Sequence, residues 1–161
     1  MIAEKFNYKT LWRITKYAND DAYARGEAFE TSEFEGNLLL NAGIQLLEDL
    51  LIGAGGTAYN NSNSRLGVGD SATAADPTQT ALQAASNKFW RPMEATFPSR
   101  ATNTLTWRSV FASGEANYAW NEFTIVNTAD DTGANLNRKV STQGTKTAGQ
   151  TWTLDVTLTI S

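Results

Sequence analysis

The stretch LGVGDSATAADPTQTAL, residues 66–82, is where the chain comes nearest to a chemical motif: two glycines flank a valine, then an acid and a serine precede a helix-start signal. A phosphate cradle needs glycine amides that run directly into a helix N-terminus, because the unpaired N–H groups of the first turn hold the anion. Here SATAA separates Asp70 from the cap, and no Gly-Lys-Ser/Thr follows. The expectation is instead a short buried strand, 66–68, whose glycines admit another backbone or a large aromatic ring, followed by a surface turn.

The other residues of suitable type do not combine. Glu48 and Asp49 are adjacent on a helical stretch and diverge. Asp20 with Asp21, and Asp130 with Asp131, fall in polar turns, and NTADDTG lacks the alternating ligands of an EF-hand loop. Ser113 in FASGEANYAW has no histidine or nearby lysine to activate it. The sequence contains no histidine at all, which removes the commonest general base and metal ligand, and no cysteine, which removes disulfides and thiolate metal sites. The expectation is a non-enzymatic protein with no cofactor and no metal site.

Thirteen basic residues against seventeen acidic ones give a net charge of −4, and the basic ones are scattered, which argues against nucleic acid as a partner. The opening MIAEKFNYKTLWRITKY breaks its apolar residues with charges and does not read as a signal peptide. No run approaches the ~18 apolar residues of a membrane span, so a soluble chain with no membrane partner is expected.

Alternation supplies the elements. In TWTLDVTLTI, Trp152, Leu154, Val156, Leu158 and Ile160 share one face, with four threonines and Asp155 on the other. TLTWRSVFA repeats the pattern with Leu105, Trp107 and Phe111, and YAWNEFTIV and NLNRKVST are shorter candidates. LWRITKY and EAFETSEFE read as a strand pair. This spacing predicts a mainly β chain: an antiparallel β-sandwich or barrel-like sheet of about six to eight strands with one or two short helices. One helix is expected near 41–53, with Asn41 capping its start and Gly53 its end, and apolar Ile44, Leu46, Leu47, Leu50 and Leu51 at helical spacing. A second is expected near 77–86, where Asp76, Pro77 and Gln79 spell a capping box. Trp107 and Trp152 read as core, while Trp12, Trp90 and Trp120 stay open to a stacking role. The length, 161 residues, suits a single domain over 1–161, with N-terminal strands or an arm over 1–35.

Five blocks, EGNLLLNAGIQLL, LGVGDSATAADPTQTAL, FASGEANYAWNEFTIVN, LNRK and GTKTAGQTWTLDVTLTIS, in that order over 35–161, resemble a widespread family of small virion proteins of tailed bacteriophages, often called tail-fibre-like. More distantly, the order of the GxGD-type strand, QTAL and WNEFTIVN is similar to the N-terminal attachment domain of phage tail-collar fibres. No coiled-coil heptad, repeat or glycine-rich shaft follows here, which favours a subunit that coats or plugs. The resemblance implies a structural protein of the virion, assembled in the bacterial host cytoplasm, with capsid decoration as the leading role. Its expected partners are itself, as a homo-oligomer with a trimer the expected form, and the major capsid protein or other virion proteins. A tail-fibre, baseplate or neck component, or a host receptor or glycan-binding module, are the alternatives. Outside the matching region, KFNYKTLWRITKY mixes aromatic and basic residues, and Phe6, Tyr8, Lys9, Trp12, Arg13, Lys16 and Tyr17 are the candidate capsid or subunit interface, docking by addition of a strand to a neighbour. The competing reading is that this segment is the first strand of the domain.

Overall fold

The computed structural model describes residues 6–161. Its elements, in chain order, are β1 (Tyr8–Tyr17), α1 (Asp20–Ala24), β2 (Ala28–Glu35), β3 (Leu38–Leu39), α2 (Asn41–Ile52), β4 (Arg65–Gly69), β5 (Lys88–Pro92), β6 (Ser99–Ala101), β7 (Thr104–Phe111), β8 (Glu122–Val126), β9 (Asn137–Val140) and β10 (Thr151–Ile160). They form two antiparallel five-stranded sheets, β2-β1-β10-β7-β6 and β3-β9-β8-β4-β5, so the architecture is a sandwich and not a closed barrel. The described residues hold ten strands, more than the expected six to eight. The additional ones are β3, β5 and β6, of two, five and three residues. Pieces this short carry too little alternation to be read from sequence, and exist as strands because a neighbouring edge supplies their pairing.

The C-terminal alternation builds the centre of the first sheet. Strand β10 pairs with β1 from Tyr8↔Ile160 to Tyr17↔Thr151, and with β7 on its other side. Its inward residues Trp152, Leu154 and Val156 meet Trp12 and Ile14 of β1 and Trp107 and Phe111 of β7, and face Leu66, Val68, Phe123 and Ile125 of the second sheet in one core. The outer face is less solvated than its threonines imply, for Thr151, Thr153 and Asp155 are all buried. Two causes are visible. Helix α1 docks there, with Asp20 accepting hydrogen bonds from Thr151 and Ser113. Beside it runs a cross-strand row of alternating charge, Glu33, Arg13, Asp155 and Arg108, in which Arg13 Nε donates to Glu33 at 2.6 Å and Arg108 Nε to Asp155 at 2.5 Å. The aliphatic stems of the arginines cover what lies beneath.

Of the β4 glycines, Gly67 admits an aromatic ring as its spacing predicts, while Gly69 makes room for the Glu122 carboxylate instead. Gly67 stands between Trp90 of β5 and Thr124 of β8, and a β-carbon there would come within 2.8 Å of both side chains. Helix α2 also forms as expected and ends at Gly53, whose φ of 72° is left-handed. Its start differs: Leu40 is the N-cap and makes no side-chain cap, while the Asn41 N–H donates to Pro77 O at 2.9 Å.

The second helix, expected near 77–86, does not form. Its capping hydrogen bonds do: Thr78 N–H donates to Asp76 Oδ1 at 2.8 Å, Asp76 N–H to Gln79 Oε1 at 3.0 Å, and one turn closes from Gln79 N–H to Asp76 O at 3.1 Å. The next amides are then taken by carboxylates far along the chain, one on β8 and one in the turn after it, instead of preceding carbonyls. Leu82 N–H donates to Asp131 at 3.2 Å, and Gln83 and Ala84 N–H donate to Glu122 at 2.8 and 2.7 Å. The local helix signal is real, and long-range charge-assisted hydrogen bonds override it. Residues 70–87 therefore run as an irregular strap from β4 to β5.

Candidate functional site

Strand β1 alternates, and that divides the seven residues expected to form an interface between two faces. Trp12 is fully buried, donates from Nε1 to Gly36 O at 3.0 Å and stacks on Phe34 with ring planes 5° apart. Lys16 is buried too, its ammonium 2.7 Å from Glu30, 2.9 Å from Gln143 O and 4.5 Å from the centre of the Trp152 ring. On the opposite face Lys9 pairs with Glu35 at 2.7 Å, Arg13 with Glu33, and Tyr17 meets Tyr23 edge-on. Tyr8 is exposed, and Phe6 stands 72% exposed. The segment that reads as either an arm or a first strand is thus a strand inside the sheet, flanked by β2 and β10. Its cations are neutralised along the β1–β2 ladder, and Trp12 and Lys16 have no free surface to offer a partner.

Phe6 leads to a surface that the sequence reading did not single out. With Leu39, Ile44, Leu47, Glu48 and Leu51 it lines a groove along one flank of α2. The helix lies as it does because Gly43 is pressed onto the backbone of Leu136, where a β-carbon would come within 2.5 Å of the carbonyl oxygen. That contact buries the stripe of Gly43 and half-buries Leu46 and Leu50. The second apolar stripe is left outside, with Ile44 38%, Leu47 40%, Leu51 86% and Ile52 77% exposed. An amphipathic helix on a sheet carries one apolar stripe, so a second stripe is the signal that could have revealed this surface. On the other flank of α2, Leu47, Leu50, Leu105, Trp107, Leu158 and Ile160 line a cavity of about 300 Å³ with Arg100 at its rim. The indole N–H of Trp107 in this wall has no hydrogen-bond partner. Phe6, the outer stripe of α2, this slot and the exposed edge of Ile160 are continuous, since Leu47 lines both flanks. Acid sits on one side of the band, at Glu48, and base on the other, at Arg100.

The remaining polar clusters tie loops and the strap to the sheets. Glu122 and Arg138 are fully buried, with Arg138 Nε donating to Glu122 Oε2 at 2.8 Å. Both carboxylate oxygens also accept the strap amides of Gln83 and Ala84, and Arg138 Nη1 donates to Thr73 O at 2.9 Å and Gln79 Oε1 at 3.1 Å. Three of the roughly four acceptor positions of this carboxylate are taken, and the pair fastens the strap over β4, β8 and β9. Asp131, read as a solvated turn, holds the strap's far side through Leu82 N–H and Lys88, at 3.2 and 3.3 Å. Burial raises its pKa. Ser113 donates to Asp20, whose hydrogen bonds from Thr151 and Ser113 lower its pKa, and a carboxylate held low is a weak base. Lys146 is buried with its ammonium donating to Ala112 O, Glu115 O and Asn117 Oδ1 at 2.8 to 2.9 Å. Burial pushes its pKa down to about 8, against the pull of Glu115 and Asp20.

No family model, no curated protein and no solved structure matches this chain. The surface chemistry of the described residues therefore carries the functional reading together with the resemblance in the sequence. All five blocks behind that resemblance meet physically, the fifth through Lys146, which donates to Ala112 O and Glu115 O of the third. Gly43 packs on Leu136, Asn41 hangs from Pro77, and Glu122 and Arg138 grip residues 73–84. They define how the second sheet, α2 and the strap hold together.

Proposed function

We propose that this chain is a non-enzymatic structural subunit of a tailed-phage particle, a capsid decoration protein that binds the head lattice as a homo-oligomer. The apolar band around α2 carries the reading. Summed over Phe6, Ile44, Leu47, Leu51, Ile52 and Ile160, the exposure amounts to about three and a half whole side chains. Five of the six are aliphatic and smaller than an aromatic side chain at ~200 Å², so this is on the order of 600 Å², at the top of the range for the largest patch of a soluble monomer, and patches of that size are often functional. A protein with such a band works in an assembled state, and the five sequence blocks supply the phage context. Attachment then needs no chemistry, because modest contacts repeated across an oligomer give lasting binding through effective concentration.

The test is direct. Purified protein is mixed with pre-expanded and mature heads, and bound copies are counted against concentration. Decoration predicts saturation at a fixed number per head and greater resistance of the loaded heads to heat or osmotic shock. Antibody labelling that marks only the tails of purified particles would replace the head placement with the tail-fibre, baseplate or neck alternative.

A further inference from the structure

We infer that the apolar band is a self-association face, in which two copies of this chain pair across a two-fold axis, each seating the Leu51 and Ile52 ridge of its α2 against the slot of the other. A two-fold interface must be self-complementary, so one patch has to carry both the projection and the recess that receives it. This band carries both within a short reach. The ridge is the most exposed large apolar feature of the helix, and the slot of about 300 Å³ opens on the neighbouring flank, sharing Leu47 with the groove. A recess of that size accommodates a leucine or isoleucine side chain.

Charge points to the same occupant. Glu48 and Asp49 are the ionisable residues of α2, and Arg100 stands at the rim of the slot across Leu47 from Glu48. Rotation by two-fold symmetry brings the acidic side of one copy over the basic side of the other, so the contact gains two equivalent ion pairs. The size also fits. On the order of 600 Å² of largely apolar surface per copy leaves only a modest polar rim to reach the ~800 Å² per partner of a standard stable interface. This contact differs from the head-to-tail contact that would close a trimer, and it commits the band to a copy of the chain before any lattice.

The inference rests on the assembly reading above only in holding that the band is covered, and its test uses no particle, so either can fail alone. Sedimentation velocity of the whole chain at about 1 to 100 µM, a span bracketing micromolar affinity, should show a reversible monomer–dimer equilibrium. Leu51→Glu changes a side chain that is 86% exposed, so its melting temperature and circular dichroism should match the wild type. Its self-association should weaken more than about thirtyfold, as loss of a central anchor does. Glu48→Lys and Arg100→Glu should each weaken the dimer, and the double variant should recover it, a rescue that a purely structural role does not produce. A wild-type chain monomeric at the highest concentration overturns the inference. So does a dimer indifferent to Leu51→Glu, or a trimer with no two-fold pairing.

Discussion

Gly69 and Glu122 stand opposite one another across the β4–β8 ladder, and the Glu122 carboxylate fills the space that a β-carbon on residue 69 would need. The glycine is therefore a requirement of the buried network. Gly69→Ala should push the carboxylate away from Arg138 and from the amides of Gln83 and Ala84, stripping a buried charge of its partners. The expected loss is about 3 kcal/mol or more in denaturant unfolding, with faster amide exchange along residues 70–87. Gly114→Ala, where a β-carbon meets nothing within 4 Å, is the control and should be near neutral. Added ATP or GTP should leave the wild-type melting curve unmoved.

The two faces of β10 should respond differently to the same charge. Val156 is fully buried, so Val156→Asp places an unpaired carboxylate in the core and should abolish soluble expression. Thr157→Asp lies on the outer face, beyond the segment that α1 and the arginine row cover, and should be tolerated. Expression and melting curves of the pair test the inward register.

Removal of residues 1–17 should prevent folding. It withdraws a strand that pairs on both sides and empties the core of Trp12 and Ile14, which are fully buried. Trp12→Ala alone should cost about 3 to 5 kcal/mol. A soluble, cooperatively melting truncation would contradict the placement of β1.

Stability should pass through a maximum at about pH 10. Lys146 has a native pKa near 8 against an ordinary value of 10.5, so between those limits the unfolded chain holds a proton that the native protein has released. Unfolding free energy therefore rises with pH across that window, by an amount on the order of 3 kcal/mol at full effect. The buried phenols of Tyr59 and Tyr118 act in the opposite sense. Burial raises both above the ordinary value of 10, so above pH 10 the unfolded chain ionises first and stability falls. Urea midpoints from pH 7 to 11 should trace both limbs, and Lys146→Met should flatten the rising one.

What could be read from the sequence follows the range of the forces involved. The β10 strand, α2 with its Gly53 stop and the close approach at Gly67 are set by neighbours in the chain or by a periodicity that one segment carries alone. The strap could not be read, because Asp76, Pro77 and Gln79 begin a helix correctly and only Glu122 and Asp131, some forty to fifty residues away, take the amides that would continue it. The seven-residue candidate interface counted aromatic and basic types without their faces, and alternation in β1 separates them. The apolar band was written in the sequence as surplus leucine and isoleucine on α2, yet which stripe faces inward depends on Gly43 meeting Leu136.

Strand β10 lies between β1 and β7, and this position dictates an order of events as the chain is made. Until residues 151–160 have left the ribosome, β1 and β2 have no third strand, and a two-stranded ribbon is marginal in water. Trp12, Ile14 and Phe34 must then wait, uncovered, until that strand has been made. The pairing of Tyr8 with Ile160 is among the most distant in the chain, so closing the first sheet carries the entropy of ordering almost everything between them. The acidic edge of β2, with Glu30, Glu33 and Glu35 each matched to a cation on β1, keeps that early ribbon from recruiting the wrong neighbour in the interval.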